Sequence, residues 1–201
     1  MIKALIFDFG NVICKFDNNI FIKKISKYTN KSIPELNKLI YQKTSLPKQY
    51  ETGLITSHEF FKKIKKLCTL KITRSEFIKA YTNIFTPIKT TFDLIKKLKL
   101  NYKLSLLSDT SKWDFNYGIK PVKIFKLFDT VSLSFKVKQM KPGKKLFFDA
   151  LNKLDLEPKE CIYIDDIKKY AKVANLIGIN PIHYTSHKKL INSLKKLDVQ
   201  I

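Results

Sequence analysis

The chain has 201 residues, 44% of them hydrophobic and 28% charged, which excludes extensive disorder and leaves room for one core with a modest insertion. Lys and Arg number 39 against 17 Asp and Glu, a formal charge of +22, but Arg74 is the single arginine and the lysines are scattered in pairs along the whole length. Sequence-reading nucleic-acid proteins lean on the arginine fork, so the charge implies weak attraction of polyanions and no specific nucleic-acid partner.

In chain order, Ile2–Phe9 is a short, nearly continuous apolar run, as expected of a strand buried on both faces. Residues 17–86 show no convincing strand and read as helical pieces. Pro34 starts one, Thr56 with Glu59 forms a capping box ahead of Phe60, Phe61 and Ile64, and Thr73 to Phe85 is amphipathic. Helical spacing returns over about 87–100, then Lys103–Ser108 and Thr130–Phe135 read as strands. A helix over about 142–154 is predicted to carry Pro142 in its first turn, and one over 167–177 to close on Gly178. Cys161–Ile164 and Pro181–Tyr184 complete the strands. Strands alternating with helices predict an α/β fold, a Rossmann-like parallel sheet covered on both sides, with residues 1–16 and 87–201 as the core domain and 17–86 as a helical insertion.

Cys14, Cys68 and Cys161 are far apart and form no CxxC pair, which argues against a disulfide framework or a zinc site. No stretch approaches the roughly 18 apolar residues of a membrane span, and the opening run, broken by Asp8, is unlike a secretory leader. A cytoplasmic protein is expected. His58, His183 and Trp113 read as packing or surface groups, and His183 with His187 lacks a metal-ligating companion.

Function in open parallel sheets collects at the carboxyl ends of the strands. Those ends read Asp8-Phe9-Gly10-Asn11, Ser108-Asp109-Thr110, Lys141-Pro142 ahead of a helix, and Asp165-Asp166. Each has an ordinary reading alone: a cap, a turn residue, a solvated lysine, a helix N-terminus with a favourable dipole contact. Four such accidents at four successive strand ends is the weaker account. As a set, the residues suit phosphoryl transfer. A carboxylate can attack phosphorus, a hydroxyl and an amine can hold the nonbridging oxygens, and a further acidic pair can bind a hard cation such as Mg²⁺.

The opening ALIFDFGNVI, then Leu106-Leu107-Ser108-Asp109-Thr110, Lys141-Pro142 and Ile162-Tyr163-Ile164-Asp165-Asp166 resemble, in order, the four motifs of the haloacid dehalogenase-like (HAD) hydrolases. The likeness extends to the branch with a helical cap after the first strand, where Tyr50-Glu51-Thr52-Gly53-Leu54-Ile55-Thr56 is similar to small phosphatases. It implies that Asp8 is the nucleophile and a metal ligand, that Ser108, Asp109, Asn11 and Lys141 bind the phosphoryl group, and that Lys141 also neutralises Asp8. Asp166, Asp165 and the Gly10 carbonyl would complete a Mg²⁺ site. The implied activity is Mg²⁺-dependent hydrolysis of a small phosphorylated metabolite, a sugar phosphate by branch resemblance, through an aspartyl-phosphate. The cap would choose the substrate, with Tyr50 and Glu51 as candidates.

Two positions depart from the family pattern. Gly10 stands where these phosphatases carry a second Asp as general acid and base, a group worth about 10²–10⁴-fold. Tyr170 stands where the fourth motif often has a further Asp or Asn, which weakens the support expected for the metal or for Lys141. Gly10 and Tyr170 keep open a catalytically weak binding or regulatory protein. A haloacid dehalogenase is the remaining alternative, opposed by the acidic pair and the near absence of arginine.

Overall fold

A computed structural model describes residues 1–201. In chain order the elements are β1 (Ala4–Phe7), β2 (Cys14–Phe16), α1 (Asn18–Ile25), α2 (Ile33–Asn37), α3 (Leu46–Glu51), α4 (Ser57–Leu67), α5 (Arg74–Thr82) and β3 (Phe85–Pro87). They continue as α6 (Lys89–Leu98), β4 (Lys103–Ser108), β5 (Thr130–Leu133), α7 (Ser134–Val137), α8 (Lys145–Leu154), β6 (Cys161–Asp165), α9 (Lys168–Leu176), β7 (Asn180–His183) and α10 (His187–Lys196).

The main sheet is parallel throughout, in the order β5-β4-β1-β6-β7. Its central strand β1 is wholly buried, and strand alternation sends its residues to two cores. Leu5 and Phe7 join Leu104, Leu106, Ile162 and Ile164 against Leu94 and Leu98 of α6 and Leu190 and Leu194 of α10. Ala4 and Ile6 join Leu107 and Tyr163 against Leu146, Phe147 and Ala150 of α8 and Ala174 of α9. Burying an aliphatic or aromatic side chain of this kind contributes about 1.5–3 kcal/mol, so both faces anchor β1. Because its neighbours β4 and β6 lead to opposite flanks, a crevice opens beyond its carboxyl end. No helix is long and apolar enough to cross a membrane.

Residues 18–82 are helical and share an apolar cluster of their own, with Phe21, Tyr50, Phe60, Phe77 and Tyr81 packed edge to face or stacked. Trp113, from the segment after β4, inserts into it. Three helices start on reciprocal capping boxes, Ser32 with Glu35, Thr56 with Glu59 and Thr73 with Glu76, each cap worth about 1 kcal/mol. The loop after α3 is clasped to the sheet side: Ser134 Oγ donates to the Glu51 carbonyl at 2.6 Å and Lys138 Nζ to the Gly53 carbonyl. Gly53 has φ +67°, and a Cβ there would lie 2.3 Å from the Phe135 carbonyl oxygen, so only glycine fits this approach.

The strands follow the apolar runs closely, with three differences. Phe85–Pro87 pairs antiparallel with Cys14–Phe16 in a short ribbon, where no strand was expected before residue 87. Three residues ending in proline are too few to show alternation. Pro142 is not in the first turn of α8, which begins at Lys145; it sits in a turn closed by Gly143 N donating to Met140 O at 2.9 Å. Phe135, expected at the end of a strand, belongs to the single turn α7.

Candidate active site

Asp8 follows β1 directly, and its amide donates to Ile164 O of β6 at 2.9 Å, which extends the ladder and fixes where the carboxylate emerges. Asp8, Ser108, Asp109, Lys141 and Asp166 all line a cavity of about 250 Å³ beyond this sheet edge. That lies below the roughly 300–1,000 Å³ of pockets for drug-sized ligands, so the cavity suits a small molecule.

Lys141 is buried and clamped between two carboxylates, Asp8 Oδ1 at 2.7 Å and Asp165 Oδ2 at 2.8 Å. Burial works against its charge, but Asp8, Tyr163 and Asp165 outweigh it and hold the amine well above its usual pKa. The ring of Tyr170 lies 4.9 Å from Nζ, a cation–π distance. The residue that departs from the acidic pattern therefore supports Lys141 through its aromatic face. Asp109 Oδ1 accepts from the Lys141 amide at 3.0 Å and so positions the lysine's loop as well as lining the cavity. Ser108 is buried, and its hydroxyl makes only a long 3.4 Å contact to the Asp109 carbonyl.

The acidic pair at the end of β6 splits. Oxygens of Asp8, Asp165 and Asp166 lie within 4.8 Å of one another, but Asp165 is fully buried and both its oxygens are taken. Lys141 and the Tyr163 hydroxyl bond Oδ2, and the Ile167 amide bonds Oδ1 at 2.7 Å. Asp165, expected beside Asp166 at the metal, lies within this oxygen cluster and also holds Lys141 from behind. Asp166 faces the cavity, with Asn11 Nδ2 donating to its Oδ2 at 3.1 Å. Asn11 is thus the partner of Asp166. The clustered carboxylate oxygens of Asp8, Asp165 and Asp166 are donors of the kind a hard divalent cation takes.

Gly10 borders the cavity beside Phe16. A Cβ on Gly10 would lie 3.0 Å from Phe16 Cε1 and 3.6 Å from Asp8 Oδ2, so a second acidic side chain here would require the phenyl ring to give by a few tenths of an ångström.

The helical segment contributes Tyr41, Pro47, Glu51 and Tyr81 to the cavity wall. Glu51 is placed as expected. Tyr50 is not: it is 1% exposed inside the helical core, its hydroxyl shared with Ser57 and accepting from the Trp113 amide. Asp114, which sequence reasoning missed, lines the cavity while bonded to Ser111 Oγ at 2.8 Å. The available signal was Ser111-x-x-Asp114, a local capping pattern just past a strand end.

Burial is the first cause of a raised pKa at four of these carboxyls: Asp8 to about 7, Asp109 to about 6, Asp114 to about 7 and Glu51 to about 8. Between about pH 4 and pH 8 the folded chain therefore holds more protons than the unfolded one, and stability falls as pH rises. The capping glutamates Glu35, Glu59 and Glu76 have lowered values and are ionised in both states above about pH 5, so they do not mask the slope. Metal-free protein should melt at a lower temperature at about pH 8 than at about pH 5.5; calorimetry showing the opposite order would contradict the cavity electrostatics.

A carboxylate at the end of the central strand, held by a buried lysine and flanked by a second acid in a small cleft, defines a hydrolase on a parallel α/β sheet. A family model described as haloacid dehalogenase-like hydrolase matches residues 5–183, and the chain belongs to that family. It is 25% identical over 189 residues to a D-ribitol-5-phosphate phosphatase of Bacteroides thetaiotaomicron, covering 89% of each chain. A HAD family enzyme from the same organism, solved in complex with magnesium and inorganic phosphate, superposes with TM-score 0.81 at 26% identity, covering 92% of this chain and 95% of that one. An L-2-haloacid dehalogenase of Xanthobacter autotrophicus shares the fold, with TM-score 0.65 at 15% identity over 100% of this chain and 85% of that one.

Proposed function

We propose that the protein is a Mg²⁺-dependent phosphatase of a small phosphorylated metabolite, with residues 17–86 acting as a cap over a core formed by 1–16 and 87–201. The observation that carries this is the Lys141 clamp on Asp8 Oδ1, which favours the ionised form of a buried carboxyl against the pull of burial and leaves Oδ2, on the Gly10 side, for attack. In this reading Oδ2 forms a bond to phosphorus as the ester oxygen departs, and water then cleaves the aspartyl-phosphate. Ser108 and Lys141 hold the nonbridging oxygens as charge builds on them. Asp8, Asp166 and the Gly10 carbonyl would hold Mg²⁺, which supplies further neutralisation of phosphoryl charge. A sugar or polyol phosphate is favoured by the likeness to the ribitol-5-phosphate enzyme. A dehalogenase reading is disfavoured because the cavity wall carries five carboxylates and no arginine.

The test is phosphate release from an aryl phosphate, whose leaving group needs little protonation. Release that requires Mg²⁺ and stops on chelation is expected; none from folded protein that binds Mg²⁺ would sink the proposal in favour of a binding protein. Mg²⁺ should also raise the melting temperature more at about pH 8 than at about pH 5.5, since protons compete for Asp8 at the lower pH.

Gly10 makes a separate prediction for alkyl esters, which do need a proton on the leaving oxygen. Gly10→Asp with Phe16→Ala should speed alkyl phosphate turnover by about 10²-fold or more, with a smaller gain on aryl phosphate. Gly10→Asp alone should gain less, because Phe16 must first move. Equal rates for the single and double variants would show that the ring is no obstacle.

A further inference from the structure

We infer that Asp114 and Glu51 form the subsite for the non-phosphate end of the substrate, and that this subsite takes an uncharged, hydroxyl-rich tail and rejects one bearing a second anion. The inference rests on the phosphatase reading and names the substrate class of that same cavity.

Asp114 provides the first observation. It is 7% exposed and lines the cavity, its Oδ2 is fixed by Ser111 Oγ at 2.8 Å, and its Oδ1 is buried without a hydrogen-bond partner. The Tyr81 phenol lies close to this carboxyl without closing a bond of acceptable geometry. Native structures seldom leave a buried carboxylate oxygen unbonded, and Asp114 borders the cavity that a ligand would enter.

The charge inventory is the second. In a chain of formal charge +22, the cavity is lined by Asp8, Glu51, Asp109, Asp114 and Asp166 against Lys141 alone. Lys141 is already held by Asp8 and Asp165. A divalent cation at Asp8 and Asp166 would serve the phosphate end. Nothing cationic among the lining residues faces Glu51 and Asp114, and Asp114 lies near enough to help raise the Glu51 carboxyl. Here a second phosphate or a carboxylate would be buried with no cation to pair it, beside two carboxyls that gain negative charge as pH rises past about 7 and 8.

Hydroxyl groups meet the remaining demand. Each donates to a carboxyl oxygen, ionised or not, and an ionised acceptor makes the bond shorter and stronger. Glu51 and Asp114 arrive from different parts of the chain, the end of α3 and the segment after β4, and the Ser134–Glu51 bond ties the former to the sheet side. That bond helps set Glu51 in the wall it shares with Asp114. A site built around substrate hydroxyls discriminates strongly against analogues that lack them.

The experiment compares four esters on the Mg²⁺-loaded protein: glycerol 3-phosphate, 3-phosphoglycerate, phosphoethanolamine and an aryl phosphate. The first two share a phosphorylated primary alcohol and differ in one terminal group, hydroxymethyl or carboxylate. The expected kcat/KM for glycerol 3-phosphate exceeds that for 3-phosphoglycerate by about 10²-fold or more. Equal values, with the aryl phosphate hydrolysed, overturn the inference and leave the phosphatase reading standing. Preference for phosphoethanolamine over glycerol 3-phosphate also overturns it, in favour of a cationic tail. Failure on all four esters removes the phosphatase reading and this inference with it. Asp114→Asn, which keeps the Ser111 contact, should lower the preference for glycerol 3-phosphate over 3-phosphoglycerate by about tenfold or more, mainly through KM. The same preference in folded Asp114→Asn and Glu51→Gln would refute the assignment.

Discussion

Asp8→Asn is expected to lower aryl phosphate hydrolysis by about 10⁴-fold or more, in line with the loss of an enzyme's nucleophile, while leaving the protein folded. The amide has the shape of the carboxylate and still offers an oxygen to Lys141 Nζ, which also keeps its bond to Asp165. What disappears is the anionic oxygen that attacks phosphorus. The loss should fall on kcat, because Ser108, Lys141 and Asp166 still line the cavity to receive the phosphate. Intact-mass measurement after rapid quenching should find a phosphoryl adduct on native protein and none on the variant. Comparable turnover by both would remove Asp8 from the nucleophile's role.

Lys141→Met should cost both stability and activity. The substitution leaves Asp8 and Asp165 buried side by side with no cation, and breaking a buried pair in this way costs about 3–5 kcal/mol. In a chain of this length each kcal/mol moves Tm by about 2–4 °C, a drop that calorimetry resolves easily. Activity falls for a second reason. Burial already raises Asp8 to about 7 even with Lys141 pulling the other way. Without the ammonium the carboxyl climbs further and is protonated at neutral pH, where it no longer attacks. The rise of activity with pH should therefore move to higher pH in the variant. Adding Asp165→Asn should restore part of the lost stability without restoring turnover, since it removes one buried charge and leaves Asp8 without its clamp. Recovery of both together would show that Lys141 serves the fold alone.

The parallel sheet was legible because its three central strands are short apolar runs almost wholly buried, and because the residues at the strands' carboxyl ends are polar in a fixed order. Asp8, Ser108, Lys141 and Asp166 could be placed at one edge on that ground. Their division of labour could not. Asp165 and Asp166 are adjacent in sequence, yet one turns back into the protein toward Tyr163 and Lys141 while the other faces the cavity. Nothing local distinguishes them. Tyr170 reads in sequence as the loss of a supporting acid, but its ring lies beside the lysine. Phe16 meets Gly10 across a short turn and Asp114 borders the cavity by its burial, neither of which periodicity reports. Tyr50 shows the converse: a tyrosine beside a cavity-facing glutamate was absorbed by packing with Phe60 and Trp113.

The clasp at Gly53 has a consequence for the rhythm of turnover. The helical segment leaves and rejoins the sheet through the β2–β3 ribbon, so in the proposed reading of 17–86 as a cap the ribbon is where it would hinge, and the Ser134 and Lys138 bonds to the loop after α3 are what would latch it. Two side-chain hydrogen bonds to backbone carbonyls contribute only about 0.5–1.5 kcal/mol each, a latch weak enough for such a cap to open. It is also narrow: any side chain larger than hydrogen at Gly53 would wedge the cap ajar against Phe135. Such a protein would admit substrate quickly and let bulk water reach Asp8, trading a sealed reaction chamber for a leaky one.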